Sequence, residues 1–330
     1  RRQRQMCIRD RIPLKNLKDW TDKNDKISHS TGKFFSIQGI RVSTNYGLVP
    51  QWDQPIINQP EIGFLGFIVQ RKQNVLHFLL QAKIEPGNLN VIQLSPTLQA
   101  TRSNYTRVHK GRSPLYLEYF TGEKKVEILV DQLQSEQGAR FYQKRNRNII
   151  VEVDENEELP VYENFVWASL GQIKELLTYP NVVNMDTRTV ISCIQYGNYS
   201  EKDLQLLSVF RLDTNLGHSD SFLYSVLSSD NHYNTMNSII RWLTSLKFKY
   251  ELNVDKIGLS EMNNWIYDGN VIEHKDKKYF SVIGVDVSIG NREVTHWDQP
   301  MVKAAQEGIM GFLVKKINGI YHFLVQAKLE

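Results

Sequence analysis

No run in the 330-residue chain approaches the roughly 18 consecutive apolar residues that cross a bilayer as a helix. The longest apolar stretches, such as Phe64–Val69, are strand-sized, so a helical membrane role is excluded. Cysteine is scarce: two residues cannot make a disulfide framework, and a reducing, cytoplasmic setting is expected. There is no Walker A loop, no G-x-G-x-x-G, no H-E-x-x-H and no G-x-S-x-G elbow. The eight histidines are dispersed and lack zinc-ligand spacing. Charge of one sign is also lacking outside one place. The formal +4 comes from residues 1–11, RRQRQMCIRDR; setting aside their five arginines and one aspartate leaves 35 basic and 35 acidic residues. That run resembles translated sequencing-adapter sequence, with a basic nucleic-acid arm as the competing reading. It is set aside as non-native, and Cys7 with it. Neutrality elsewhere speaks against nucleic-acid binding. Cys193, the remaining thiol, is expected to be a buried helix residue rather than a nucleophile.

What the chain does have is a long internal repeat. HFLLQAKIE at 77–85 recurs as HFLVQAKLE at 322–330, and WDQP at 52–55 recurs at 297–300, both offset by 245 residues. The offset holds without a gap from Ile12/Ile257 to Glu85/Glu330, with 27 identities in 74 positions. Trp20 pairs with Trp265, His29 with His274, Gly39 with Gly284 and Gly66 with Gly311. This predicts a duplicated domain. The expected division is a first module over 12–200, a helical connector over 201–250 and a second module over 251–330, cut short within its repeat.

Alternation of apolar residues predicts strands over Phe34–Val42, Gly66–Arg71, Leu76–Glu85, Val126–Val130, Ile149–Val153 and Phe280–Val287. Pro86-Gly87-Asn88 reads as a turn, Asp154–Glu158 as an acidic loop, and Asn90–Thr101 as a further extended run. Helices are expected near Asp131–Arg145, over Ala168–Thr178 and over Met236–Leu246, whose stripe Ile239, Ile240, Leu243 and Leu246 reads as core or interface. The fold class is therefore α+β.

The informative chemistry lies on polar strand faces. His77, Gln81, Lys83 and Glu85 share one face of their strand. The set recurs as His322, Gln326, Lys328 and Glu330, whereas a merely solvated face would have drifted. The next extended run places Gln93, Ser95, Thr97, Gln99 and Thr101 at alternate positions, followed by Ser103 and Tyr105. If the strands are neighbours, they make a wall of amides and hydroxyls suited to a sugar ring. Arg102, Arg107, Lys83 and His109 fringe it and suit a diphosphate. Trp52 of WDQP reads equally as a core tryptophan or as a stacking surface.

WDQP-I, HFLLQAKIEPGN, QLSPTLQATRSNYTR and VNMDTRTVISC together resemble the NDP-hexose 2,3-dehydratases, over essentially the whole chain after residue 11. The resemblance implies two Nudix-like α+β modules per subunit and a homodimer. The Nudix hydrolase motif itself is absent. The implied reaction removes water across C2 and C3 of dTDP-4-keto-6-deoxyglucose, giving an unstable diketo sugar that a 3-ketoreductase takes up. A 4-ketone already acidifies the C3 proton, so no cofactor or metal is called for. On this reading Glu85 is the first choice of base, with His77 or Tyr105 as alternatives. Lys83 and Gln81 hold the enolate oxygen, and Arg102 and Arg107 the diphosphate. Ser95, Thr97, Gln99, Thr101 and Asn104 read sugar and thymine, with Trp52 and Gln54 alongside. Their second-copy counterparts are Trp297, Gln299, His322, Gln326, Lys328 and Glu330. At most one competent nucleotide site per chain is expected.

Overall fold

The computed structural model describes residues 8–106, 113–196, 222, 225–226, 232–289, 294–317 and 320–329. In chain order the strands are β1 (Ile8–Ile12), β2 (Trp20–Lys23), β3 (Lys26–His29), β4 (Ser36–Thr44), β5 (Gln51–Asn58), β6 (Gly63–Lys72), β7 (Val75–Ile84), β8 (Ile92–Ser95), β9 (Leu98–Ala100), β10 (Glu127–Ser135), β11 (Arg145–Val153) and β12 (Phe165–Ser169). The repeat then returns as β13 (Leu252–Ile257), β14 (Trp265–Tyr267), β15 (Val271–His274), β16 (Ser281–Ser288), β17 (His296–Lys303), β18 (Leu313–Ile317) and β19 (Ile320–Leu324). Four described helices accompany them: α1 (Arg102–Tyr105), α2 (Leu170–Leu176), α3 (Met185–Ser192) and α4 (Met236–Lys249). The fold is one of mixed sheets with few helices.

The two copies exchange their first strands. β4 pairs with β3 and β5 from its own copy, but its remaining edge is filled by β13. In the mirror relation, β16 pairs with β15 and β17 and receives β1. The registers correspond: Ile12 lies opposite Gly284 and Ile257 opposite Gly39. Residues 8–11, set aside on composition, thus form most of β1. Glycine is required at these crossings. A Cβ on Gly39 would lie 2.8 Å from the Gly258 carbonyl oxygen, and one on Gly284 2.6 Å from that of Ile12.

Exchange gives the copies one shared core. Leu14 and Leu259, Leu17 and Met262, Trp20 and Trp265, Ile27 and Ile272, and Ile37 and Val282 all pack in a single cluster. Each indole also bonds across: Trp20 Nε1 donates to the Asp298 carbonyl at 2.9 Å, and Trp265 Nε1 to that of Asp53 at 2.6 Å. Burying an aromatic or aliphatic side chain of this size contributes about 1.5–3 kcal/mol, so the paired cluster ties the copies together strongly.

The first copy continues into a seven-stranded sheet ordered β10-β11-β6-β7-β12, with β8 on β7 and β9 on β6. β11 runs parallel to β6 and the other pairings are antiparallel. α2, opened by a Ser169/Gln172 capping box, and α3 supply Ile173, Val190 and Ile191 to the core beneath Phe67, Phe78 and Leu80.

Three expectations need correction. Asp131–Arg145 is not a helix: β10 runs through Ser135 and pairs with β11, because ladder formation overrides the helix-favouring Leu and Gln residues. Asn90–Thr101 is not one run; Pro96-Thr97 divides β8 from β9, which join different neighbours. The Met236–Leu246 helix exists, but no residue of α4 is buried, so its apolar stripe is not core. The rest of the expected connector lies largely outside the described residues.

Candidate active site

β7 carries the site, and its far end is fixed by what pairs there. β8 holds Gln81, Ala82 and Lys83 in register with Ser95, Leu94 and Gln93. The loop before α3 is pinned to β8, with the Asn184 amide donating to the Leu94 carbonyl at 2.9 Å. Asn184 caps α3 by accepting from the Thr187 amide at 2.9 Å. Its own amide donates to Gln99 Oε1 at 3.2 Å. Gln99 in turn donates to Glu85 Oε1 at 2.9 Å. Lys83 Nζ donates to the Gln99 carbonyl at 3.2 Å and lies 3.7 Å from Glu85 Oε1. Lys83, Glu85, Gln99 and Asn184 thus form one connected polar group.

Two cavities meet at this group. A cleft of ≈ 1140 Å³ is lined by Gln81, Lys83, Thr97, Gln99 and Asn104 of the first copy and by Trp297, Asp298 and Gln299 of the second. Trp20 and His29 close another side. A smaller pocket of ≈ 400 Å³ is lined by Glu85, Asn88, Asn184, Asp186 and Arg188. The larger cleft slightly exceeds the usual size of ligand cavities, roughly 300–1,000 Å³.

Asp186, in the first turn of α3, is the residue that sequence reasoning missed. Its pKa is pushed up to about 7, chiefly by burial and then by the charge of Glu85, with Lys83 and Arg188 opposing. It lies within the quoted VNMDTRTVISC run, but nothing in the string shows that its carboxyl meets Glu85. His29 was likewise noted only as a repeat identity. Burial holds its pKa below the usual value against the pull of Asp19 and Asp298. Its Nδ1 lies 2.8 Å from Thr31 Oγ1, and its ring stands edge-on to Trp20.

The other expected residues divide sharply. Gln81, Lys83, Gln99 and Asn104 line the cleft, and Glu85 the adjoining pocket. Thr97 borders the cleft, yet its hydroxyl is committed: it accepts from the Ile68 amide and donates to the Leu79 carbonyl, joining β6 to β7. Ser95 is fully buried and donates to the Gln81 carbonyl. Both are structural, because the sheet consumes their hydroxyls. His77 sits at the opposite end of β7, where Nδ1 meets the Val75 carbonyl. That is eight residues from Glu85, roughly 26 Å along a strand, so His77 is excluded as base. Tyr105 packs its ring on Phe64 and does not line either cavity. Thr101 bonds Ser103, and Arg102 is exposed on α1. Trp52 and Gln54 are also outside. Trp52 packs beside Ile40, Val42 and Ile56, and Gln54 donates to the Ala139 carbonyl.

In the second copy, Trp297 and Gln299 line the first copy's cleft. His322 accepts from the Tyr233 amide at 3.1 Å, while Gln326 and Lys328 are exposed. Arg107, His109 and Glu330 lie outside the described residues. Among the described residues, no group of three or more His, Cys, Asp or Glu is placed to hold a metal ion, and no helix is long and apolar enough to cross a membrane. Cys193 ends α3, half-buried, with Sγ donating to the Thr189 carbonyl.

Chemically, the junction offers a carboxylate beside a cationic donor, and a second carboxyl that still carries its proton near neutral pH. That combination fits proton abstraction next to a carbonyl, followed by protonation of a leaving group.

Comparison with known sequences follows the same line. The sequence model of the family described as NDP-hexose 2,3-dehydratase matches residues 1–194 and 236–330. Three curated relatives carry the name dTDP-4-dehydro-6-deoxy-alpha-D-glucopyranose 2,3-dehydratase. The one from Saccharopolyspora spinosa is 45% identical over 326 residues, covering 97% of this chain and 65% of the relative. Those from Amycolatopsis orientalis and Streptomyces violaceoruber are 38% and 39% identical, each over 97% of this chain and over 63% and 68% of the relative. The chain thus spans about two thirds of the length of these relatives.

Proposed function

Because the chain belongs to the NDP-hexose 2,3-dehydratase family, we propose that its first-copy site eliminates water across C2 and C3 of dTDP-4-keto-6-deoxyglucose. The observation that carries this reading is the polar group at the cleft junction, Lys83, Glu85, Gln99 and Asn184, with the raised Asp186 beside it. Glu85 takes the C3 proton, and the electron pair moves into the C3–C4 bond as charge gathers on the C4 oxygen. Lys83 and Gln81 face the cleft where that oxygen would lie and would stabilise it. The enolate then collapses, C2=C3 forms, and the C2–O bond breaks as Asp186 delivers its proton to the departing hydroxyl. Water leaves, and the resulting enol tautomerises to the 3,4-diketone. Nucleotide contacts in the larger cleft supply orientation. The remaining expectations from the family belong to the same proposal: Nudix-like modules, a homodimer, a cytoplasmic setting and a 3-ketoreductase consuming the labile product.

The test is incubation with dTDP-4-keto-6-deoxyglucose, followed by mass spectrometry. A product lighter by one water supports the reading. Solvent deuterium at C3 without loss of water would reduce the activity to enolisation. Glu85→Gln should lower turnover by roughly 10²–10⁴-fold, the usual worth of a general base, with substrate still bound. Near-normal turnover would remove Glu85 from the role.

A further inference from the structure

The strand exchange decides which WDQP motif serves the first-copy cleft. Lys18 donates its amide to Asp298 Oδ2 at 2.9 Å, just as Asn263 does to Asp53 Oδ2 at 2.7 Å. Each aspartate of WDQP thus accepts from the opposite copy, and Asp53 is held by Arg41 of its own copy as well. β17 is carried with it. At the end of β7, Ile84 packs into a cluster with Ile283, Val285 and Val287 of the second copy, and Trp297 lies against that cluster. The second copy's sheet thus sits beside the strand bearing Gln81, Lys83 and Glu85. Trp52, the sequence neighbour of that strand, is turned to another cluster.

Trp297 is oriented before any ligand arrives. Its Nε1 donates to Gln299 Oε1 at 3.0 Å, as Trp52 does to Gln54 in the first copy, but here both residues line the cleft. The same bond leaves the Gln299 amide nitrogen to donate to a carbonyl. A half-buried indole beside an amide donor matches a pyrimidine base, which offers a π-face and carbonyl acceptors. Lys83 and Gln99, of the polar group given to the sugar, line the same cleft.

We propose that nucleotide recognition in the first-copy cleft is supplied by the second copy: Trp297 stacks on the base and Gln299 bonds its edge. The site is then a composite of both repeats. This rests on the nucleotide-sugar reading above and adds to it a residue pair and a direction of dependence.

The experiment is calorimetric titration of the full chain with dTDP. Trp297→Ala should weaken binding about tenfold or more, the usual loss when one aromatic stacking partner of a base is removed. Trp52→Ala should shift it less than about twofold. Gln299→Ala retains the indole and should also weaken binding, which keeps the test valid if Trp297→Ala does not fold. Tryptophan fluorescence adds a third arm: quenching by dTDP should survive in Trp52→Phe and fall in Trp297→Phe, where Trp20 remains on the cleft. Unchanged affinity in both Trp297→Ala and Gln299→Ala, with the wild-type chain binding dTDP, overturns the proposal and leaves the dehydratase reading standing. A larger loss in Trp52→Ala than in Trp297→Ala overturns it too. A wild-type chain that binds no dTDP removes the nucleotide-sugar reading and this inference together.

Discussion

Asp186 retains its proton to about pH 7 because burial strips water from its carboxylate and the Glu85 charge adds to the cost of ionising it. The sign for stability follows. Between the ordinary aspartate range and pH 7 the unfolded chain has released this proton while the native chain keeps it. Stability therefore falls as pH rises through that window. Asp186→Asn should remove the slope and gain stability relative to wild type at pH 8. At about 1.4 kcal/mol per unit, and discounted for the water reaching a half-buried group, the gain is on the order of 1–3 kcal/mol. Urea melts of both proteins at pH 5 and pH 8 read it directly; parallel slopes would remove the buried-acid role. The same substitution should slow turnover, since an amide has no acidic proton to give. Why sequence missed Asp186 is plain: it stood in a run that served only for its resemblance to a family, and its nearness to Glu85 spans a separation no local pattern reports. Glu85, Lys83 and Gln81 were legible because strand alternation and repetition in the second copy both marked them, and Gln99 because alternation alone did. Ser95 and Thr97 shared that alternation, yet their hydroxyls are taken by the backbone of β7 and β6.

Elements show the same split between what repeats and what pairs. The glycines illustrate it. Gly66 and Gly311 are repeat partners, but a Cβ on Gly66 would run into the ring of Phe120, while one on Gly311 would meet nothing within 4 Å among the described residues. Gly66→Ala should cost about 1–3 kcal/mol through overpacking, and Gly311→Ala should stay within about 0.5 kcal/mol. Paired thermal melts distinguish them, and equal losses would mean that the second copy has a packed neighbour at this position. The strands themselves were legible as alternation, with boundaries moved by a few residues. Their exchange was not, because β1–β16 and β4–β13 join segments more than 200 residues apart, where each edge accepts either copy's strand by hydrogen bonding alone. What selects the swap is the cross-copy packing of Leu14, Trp20, Leu259 and Trp265. Residues 8–11 provide the direct test. Deleting residues 1–11 uncovers the β16 edge at Val285 and Val287, which are buried beneath that pairing. A loss on the order of 2 kcal/mol or more is expected. An unchanged melting temperature would mean that this strand contributes nothing, as its composition first suggested.

At the scale of the molecule, the duplication is symmetric where the copies meet and asymmetric beyond. Phe67 on β6 is fully buried, whereas its counterpart Phe312 is 65% exposed; Leu79 is fully buried and its counterpart Leu324 is 69% exposed. In the first copy those side chains lie under β9, β11 and α3. In the second, β18 and β19 pair only with each other among the described strands. Exposed Phe312, Leu313, Phe323, Leu324 and Val325 then form an apolar two-stranded surface, with Ile239, Ile240 and Leu243 of α4 exposed as well. Monomers rarely leave contiguous apolar area of this kind in water, and an open, apolar strand edge invites pairing. The chain should therefore self-associate with rising concentration and bind a hydrophobic dye in its native state. Light scattering coupled to size exclusion, across a range of loading concentrations, measures the first. Phe312→Glu with Leu324→Lys should lower the association while leaving dTDP binding intact, because neither residue lines the first-copy cleft. A species of constant mass across the range, in wild type and variant alike, would place the apolar surface elsewhere than on the association route. A variant that lost association and dTDP binding together would instead tie the cleft to the assembled form.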